Sequence, residues 1–75
     1  MTLEQVQDFI TRQPFRAFTI NTGDGKAFRV TSPEFIMRFP NGRALAIATP
    51  ESRLVVIDIQ LITSLEDASP EGQAA

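Results

Sequence analysis

The stretch Phe18-Thr19-Ile20-Asn21-Thr22-Gly23-Asp24-Gly25-Lys26-Ala27-Phe28-Arg29-Val30-Thr31 decides the fold. Phe18 and Ile20 share one side of an extended chain, with Thr19 and Asn21 on the other. Phe28 and Val30 alternate with Arg29 and Thr31 in the same way. Period-two alternation marks a strand with one face in a core and the other in water. Gly23-Asp24-Gly25, between the two runs, tolerates the positive φ that a tight hairpin requires.

The pattern extends outward to Leu65. Ser32-Pro33 interrupts the ladder, because Pro33 has no N–H to donate. Phe35, Met37 and Phe39 then alternate with Ile36 and Arg38 and are read as an inward face, which Leu45 and Ile47 continue beyond the hairpin signal Asn41-Gly42. Pro50-Glu51-Ser52 separates a run from Leu54 to Ile59, and Gln60 to Leu65 reads as a short closing strand. Short strands cut by turns about every ten positions are the signature of a small all-β barrel or sandwich. The predicted fold is mainly β with one N-terminal helix, a small antiparallel barrel of five to six strands.

The helix comes first. Thr2 is a good N-cap, and Gln5 stands where the second half of a capping box belongs. Glu4 falls in the first turn, where the helix dipole favours negative charge. Leu3, Val6, Phe9 and Ile10 make one apolar stripe. Pro14 stops the helix, since the residue before a proline avoids the helical region. A helix this short is not stable alone, so its stripe must dock on the strands. Residues 1–67 are read as a single domain. Residues 68–75, Ala-Ser-Pro-Glu-Gly-Gln-Ala-Ala, lack apolar periodicity and are expected to be a disordered tail.

Composition narrows the chemistry. The 75 residues include no His, Cys, Trp or Tyr, so no disulfide can form and the usual structural zinc ligands are missing. The serines have no His to serve as base. Lys26, the single lysine, sits beside a glycine hairpin and reads as a solvated charge. Glu66 and Asp67 are adjacent but fall where the domain gives way to the tail, and read as solvated. No Walker-type spacing accompanies Gly23-Asp24-Gly25. The chain is therefore not expected to be an enzyme, and no cofactor or metal is expected. Met1-Thr2-Leu3-Glu4-Gln5 lacks the basic and apolar segments of a signal peptide, and no run approaches the ~20 apolar residues of a membrane span. A cytoplasmic protein without a membrane partner is the expectation.

Two runs break the in–out pattern. Between Ala44 and Ala48 the outer positions are Ala44, Ala46 and Ala48. Between Leu54 and Ile59 the inner positions are Val55, Ile57 and Ile59, and the outer positions Leu54 and Val56 are apolar as well. A strand with one face in water should be polar outward. The docked helix can cover one of these surfaces and a second subunit the other. Ala44, Ala46, Leu54 and Val56 are accordingly the candidate oligomer interface.

Charge supplies a rival. The net charge is −2 and the pI about 4.9, which weighs against a dedicated nucleic-acid binder. Residues 15–57 nevertheless carry a local excess of +3. Phenylalanines interleave there with arginines, as in proteins that stack single-stranded bases. Most of these phenylalanines are expected inside, Phe18, Phe28 and Phe35 above all. Arg29, Arg38 and Arg43 are the candidate nucleic-acid contacts.

Two resemblances follow from these residues. Gln13-Pro14-Phe15-Arg16-Ala17-Phe18-Thr19-Ile20, Asp24-Gly25, Pro33-Glu34-Phe35 and Gly42-Arg43 resemble a family of short uncharacterised bacterial proteins with an N-terminal helix, a "PFRxFxI…DG" stretch and a "PEF…GR" stretch. That resemblance implies a fold and no activity. The order of one helix and five strands, the last brief, resembles the SH3-like and Sm-like small barrels. Sm-like proteins form rings by pairing strands across subunits, and many bind RNA. Their RNA-contacting signatures have no counterpart here, and Ile57-Asp58-Ile59 stands where a basic or glycine-containing motif would be expected. Fold does not dictate function. The expectation is a non-enzymatic structural or protein-interaction module that self-associates as a homo-oligomer; the alternative is an Sm-like nucleic-acid-binding protein.

Overall fold

A computed structural model describes residues 2–40 and 42–67. The expected tail, 68–75, and Asn41 of the hairpin signal lie outside the described residues. Helix α1 (Leu3–Thr11) is followed by strands β1 (Phe18–Thr22), β2 (Ala27–Val30), β3 (Ile36–Arg38), β4 (Ala44–Ala48), β5 (Leu54–Asp58) and β6 (Ile62–Asp67). The strands form two three-stranded antiparallel sheets, in the orders β2-β1-β6 and β3-β4-β5.

The helix starts as its capping residues dictate. The Gln5 N–H donates to Thr2 Oγ1 at 3.3 Å, and the Thr2 N–H donates to Gln5 Oε1 at 2.8 Å. These bonds satisfy two of the donors that a helix start leaves open. Val6 is fully buried, and Leu3, Phe9 and Ile10 pack beside it against the core. The last turn is tied to the end of β6. Arg12 Nη2 lies 2.5 Å from Asp67 Oδ1 and donates to the Arg16 carbonyl at 3.1 Å, and the guanidinium stands 4.6 Å from the centre of the Phe9 ring. Register explains the placement: Asp67 lies opposite Phe18, on the face where the helix docks. Glu66 and Asp67 are thus strand residues rather than the start of a solvated tail, and the closing strand runs later than the expected Gln60–Leu65.

Both sheets contribute to one core. Phe18, Ile20, Val30 and Ile62 come from the first; Ile36, Leu45, Ile47 and Ile57 come from the second, with Ile59 from the connection to β6. Phe28, expected inside, is only half-buried. In β6 the register against β1 shifts between Asn21 and Thr22, so that Ile62 faces Thr22 and Leu65 faces Ile20. Three residues apart, Ile62 and Leu65 would point to opposite faces of a regular strand. The bulge at Thr63 turns both toward the core.

The chain passes between the sheets through two single 3-10 turns. Pro33–Phe35 joins β2 to β3, capped by Ser32, whose hydroxyl accepts from the Glu34 N–H at 3.4 Å. Ile59–Leu61 joins β5 to β6, capped by Asp58, whose carboxylate accepts from the Gln60 N–H at 2.8 Å. The first of these turns resets the phase of the alternation. Ile36, not Phe35 or Met37, is buried, because it lies opposite Ile47. Phe35, Met37 and Phe39 therefore belong to the outward side, contrary to the expectation from the sequence. A shift of one residue sends an entire strand's side chains to the other face.

The two clear hairpins differ at their tips. In the first, Gly25 takes the positive φ (87°), and the Thr22 hydroxyl donates to the Asp24 carboxylate. That bond, with smaller help from the Lys26 backbone and charge, holds the Asp24 pKa below its ordinary value. In the second, Thr49–Arg53, the positive φ (67°) falls on Ser52.

Candidate interaction face

The outer side of β3-β4-β5 is mostly apolar, with Asp58 at one end and Glu34 at the rim of the other. Register sets it out in rows. Met37 lies opposite Ala46, which lies opposite Val56. Ala48 lies opposite Leu54, and Phe35 shares a shallow hollow with both. At the other end the Phe39 N–H donates to the Ala44 carbonyl at 3.1 Å, and Ala44 lies opposite Asp58. The face is a trough. Phe35, Met37 and Phe39 form one wall, the alanines of β4 the floor, and Leu54 and Val56 the other wall. The walls stand about 10 Å apart, two inter-strand spacings.

Among the described residues nothing covers this trough. Leu54 is 73% exposed, Met37 62%, Val56 56% and Phe35 42%. Ala46 is buried, being flanked by Met37 and Val56. The two unexplained surfaces noted in the sequence are therefore one surface. The helix covers neither part of it, because Val6 and its stripe plug the core between the sheets instead.

Among the described residues the edge beside the trough is unpaired as well. The Thr49 N–H donates to the Arg53 carbonyl at 2.8 Å, and the Ile59 N–H donates to the Arg43 carbonyl at 2.9 Å. Hydrogen-bonded pairs alternate along an antiparallel ladder, so Val55 and Ile57 bond to β4. Leu54, Val56 and Asp58 turn their backbone groups to the free edge. Within β5 there is no proline, lysine or bulge, the usual protections of an edge.

The four residues expected at an interface, Ala44, Ala46, Leu54 and Val56, thus sit together on the trough, joined by Phe35, Met37, Phe39 and Ala48. The three arginines do not gather. Arg29 lies opposite Thr19, which lies opposite Glu66, on the outer face of the first sheet. Arg38 lies opposite Leu45, on the other side of the second sheet from the trough. Arg43 precedes β4. Among the described residues no cluster of Asp and Glu is arranged to hold a metal ion, and no helix is long and apolar enough to cross a membrane. No family model, curated protein or solved structure matches this chain.

Proposed function

We propose that this chain is a non-enzymatic structural or protein-interaction module that self-associates through the outer face of β3-β4-β5. The observation that carries the proposal is the composition of that face, apolar at every strand position but Asp58, with Glu34 at its rim. A second copy suits it by shape and by area. Rotation about an axis running along the strands, between β4 and β5, places the Leu54–Val56 wall of each copy in the alanine trough of the other. The Phe35–Met37 wall then shields the open edge of the partner's β5. Four large side chains at the stated exposures, with the alanine floor, present on the order of 500 Å² per copy. Two copies then bury about 1,000 Å², the lower bound for a specific interface.

The finer fold assignment, an SH3-like or Sm-like barrel, goes with this proposal. It is supported by the two corners at Pro33–Phe35 and Ile59–Leu61, where consecutive strands change sheet around a shared core. The Sm-like nucleic-acid reading draws less support, because Arg29 and Arg38 occupy opposite faces of different sheets.

The deciding experiment is light scattering on wild type and Val56→Glu. The wild type should associate as concentration rises. The variant should run as a monomer with an unchanged circular dichroism spectrum. A variant of unchanged size, or a wild type monomeric at every concentration, would overturn the proposal.

A further inference from the structure

A second feature lies on the opposite side of the molecule's second hairpin. The Thr22 N–H donates to the Lys26 carbonyl at 2.9 Å, which marks Thr22 and Lys26 as a hydrogen-bonded pair. By alternation Ile20 bonds to Phe28 and Phe18 to Val30. Ala27 and Arg29 therefore turn their backbone N–H and C=O groups away from β1, toward the free edge of β2. Among the described residues no strand takes them up, since β2 ends its sheet. The Thr49–Arg53 hairpin stands across from this edge. Between them is a cleft of about 590 Å³, within the ~300–1,000 Å³ range of small-molecule sites.

The lining has a definite character. Phe28 and Val55, both half-buried, supply apolar surface. Lys26, Arg29 and Arg53 supply positive charge, and Glu51 is the one carboxylate. The cleft is thus positive in a chain whose net charge is −2. Guanidinium groups favour phosphate and carboxylate, which they hold by charge-assisted, often paired hydrogen bonds. The backbone N–H groups of Ala27 and Arg29 add uncharged donors at the same edge.

We propose that this cleft binds a small organic anion, a phosphate or carboxylate carried on a flat apolar body. The anionic group meets Arg29, Arg53 and Lys26, and the apolar body lies against Phe28 and Val55. A small ligand is favoured over a polynucleotide because the positive charge does not continue as a track: Arg38 belongs to the far end of the second sheet. The site is independent of self-association, since Val55 faces the core side of β5 while Leu54 and Val56 face the trough.

Titration of the 15N-labelled full chain with phenyl phosphate tests this, with inorganic phosphate and a short oligothymidylate in parallel. Phenyl phosphate should shift the amides of Ala27, Arg29, Arg53 and Val55 saturably, and bind at least ~10-fold more tightly than inorganic phosphate, the apolar body accounting for the difference. Arg29→Gln with Arg53→Gln should weaken it by about 10-fold or more while the spectrum stays dispersed. Glu51→Gln should strengthen it about 2-fold or more, which keeps the test open if the double variant fails to fold. The use of Val56→Glu as host separates this site from the trough: binding must survive there. Equal affinity for inorganic phosphate would mean an adventitious ion only. Shifts confined to the trough, no saturation, or oligothymidylate binding far more tightly than phenyl phosphate would each overturn the proposal.

Discussion

The outer faces of the two sheets answer the same problem differently. On the first sheet the outward row across β2-β1-β6 is Arg29, Thr19, Glu66, with Ala27, Asn21, Ser64 beside it. Asn21 Nδ2 donates to Ser64 Oγ at 3.0 Å, so even the half-buried groups are satisfied. On the second sheet the matching row is Met37, Ala46, Val56. Each sheet already gives its inner face to the shared core. The second therefore carries more apolar surface than folding of one chain requires. An excess of that kind, concentrated on one face and beside an edge strand, is what the proposed self-association would use.

The contrast can be broken first at the two sides of the second sheet. Ile47→Ala, on the buried side, should cost about 2–5 kcal/mol, a large share of the stability of so small a domain. Leu54→Ala, on the trough, should change the stability of the dilute monomer by no more than ~0.5 kcal/mol. Urea denaturation of both variants at low concentration reads the difference. Comparable losses would mean that the trough belongs to the core of the single chain.

A smaller effect sharpens the role of the first sheet as the seat of the helix. Arg12→Ala removes the contact with Asp67, the bond to the Arg16 carbonyl and the guanidinium over Phe9. The Arg12 side chain is 19% exposed but Asp67 is 50% exposed, so solvent screening trims the pair. The expected loss is about 1–2 kcal/mol. Amide exchange in α1 should accelerate with it, and exchange in β4 should follow only global unfolding.

How much of this was legible beforehand depended on the range of the signal. The helix was, because Thr2 and Gln5 are three residues apart and their hydrogen bonds are local. So was the inward placing of Phe18, Ile20 and Val30. The phase of Phe35–Phe39 was not. Alternation shows a period of two, but either phase of Phe35-Ile36-Met37-Arg38-Phe39 exposes something apolar. The choice is made by the Pro33–Phe35 turn and by Ile36 meeting Ile47, a contact across the sheet. The same blindness to register hid the union of the Ala44–Ala48 and Leu54–Val56 surfaces, and the addition of Met37 to them. The bulge at Thr63 could have been suspected from Ile62 and Leu65, two core residues at a spacing no regular strand allows. The cleft could not: Lys26, Arg29, Glu51 and Arg53 come from two hairpins in different sheets, and only the packing of the sheets brings them to one place.

The hairpin tips carry the comparison to finer detail. The first sheet places Gly25 at positive φ, where glycine has no Cβ to be penalised, whereas the second places Ser52 there. A three-residue hairpin loop of this kind favours glycine at that position. Ser52→Gly should therefore stabilise the protein by about 1 kcal/mol, less the added freedom of glycine in the unfolded chain. Thermal unfolding should show a rise in midpoint. A fall would mean that the Ser52 side chain makes a contact worth more than the relief of the backbone.

The smallest effect is a dependence on pH at the first tip. Asp24 accepts from the Thr22 hydroxyl, and its pKa in the folded chain is lowered from 3.8 by that bond first, with Lys26 assisting. A carboxyl with a depressed folded pKa binds its proton more readily when the chain is unfolded. Its contribution is complete above the unfolded value and is lost as pH falls through the lower, folded one. Stability should therefore drop across the acid side of pH 3.8. The drop must be small, because Asp24 is exposed and solvent screens it. Asp24→Asn keeps a hydrogen-bond acceptor for Thr22 and removes the titration, so its urea midpoint should fall less steeply over the same range than that of the wild type. Identical slopes would assign the acid sensitivity to other carboxylates and leave the hairpin tip without a part in it.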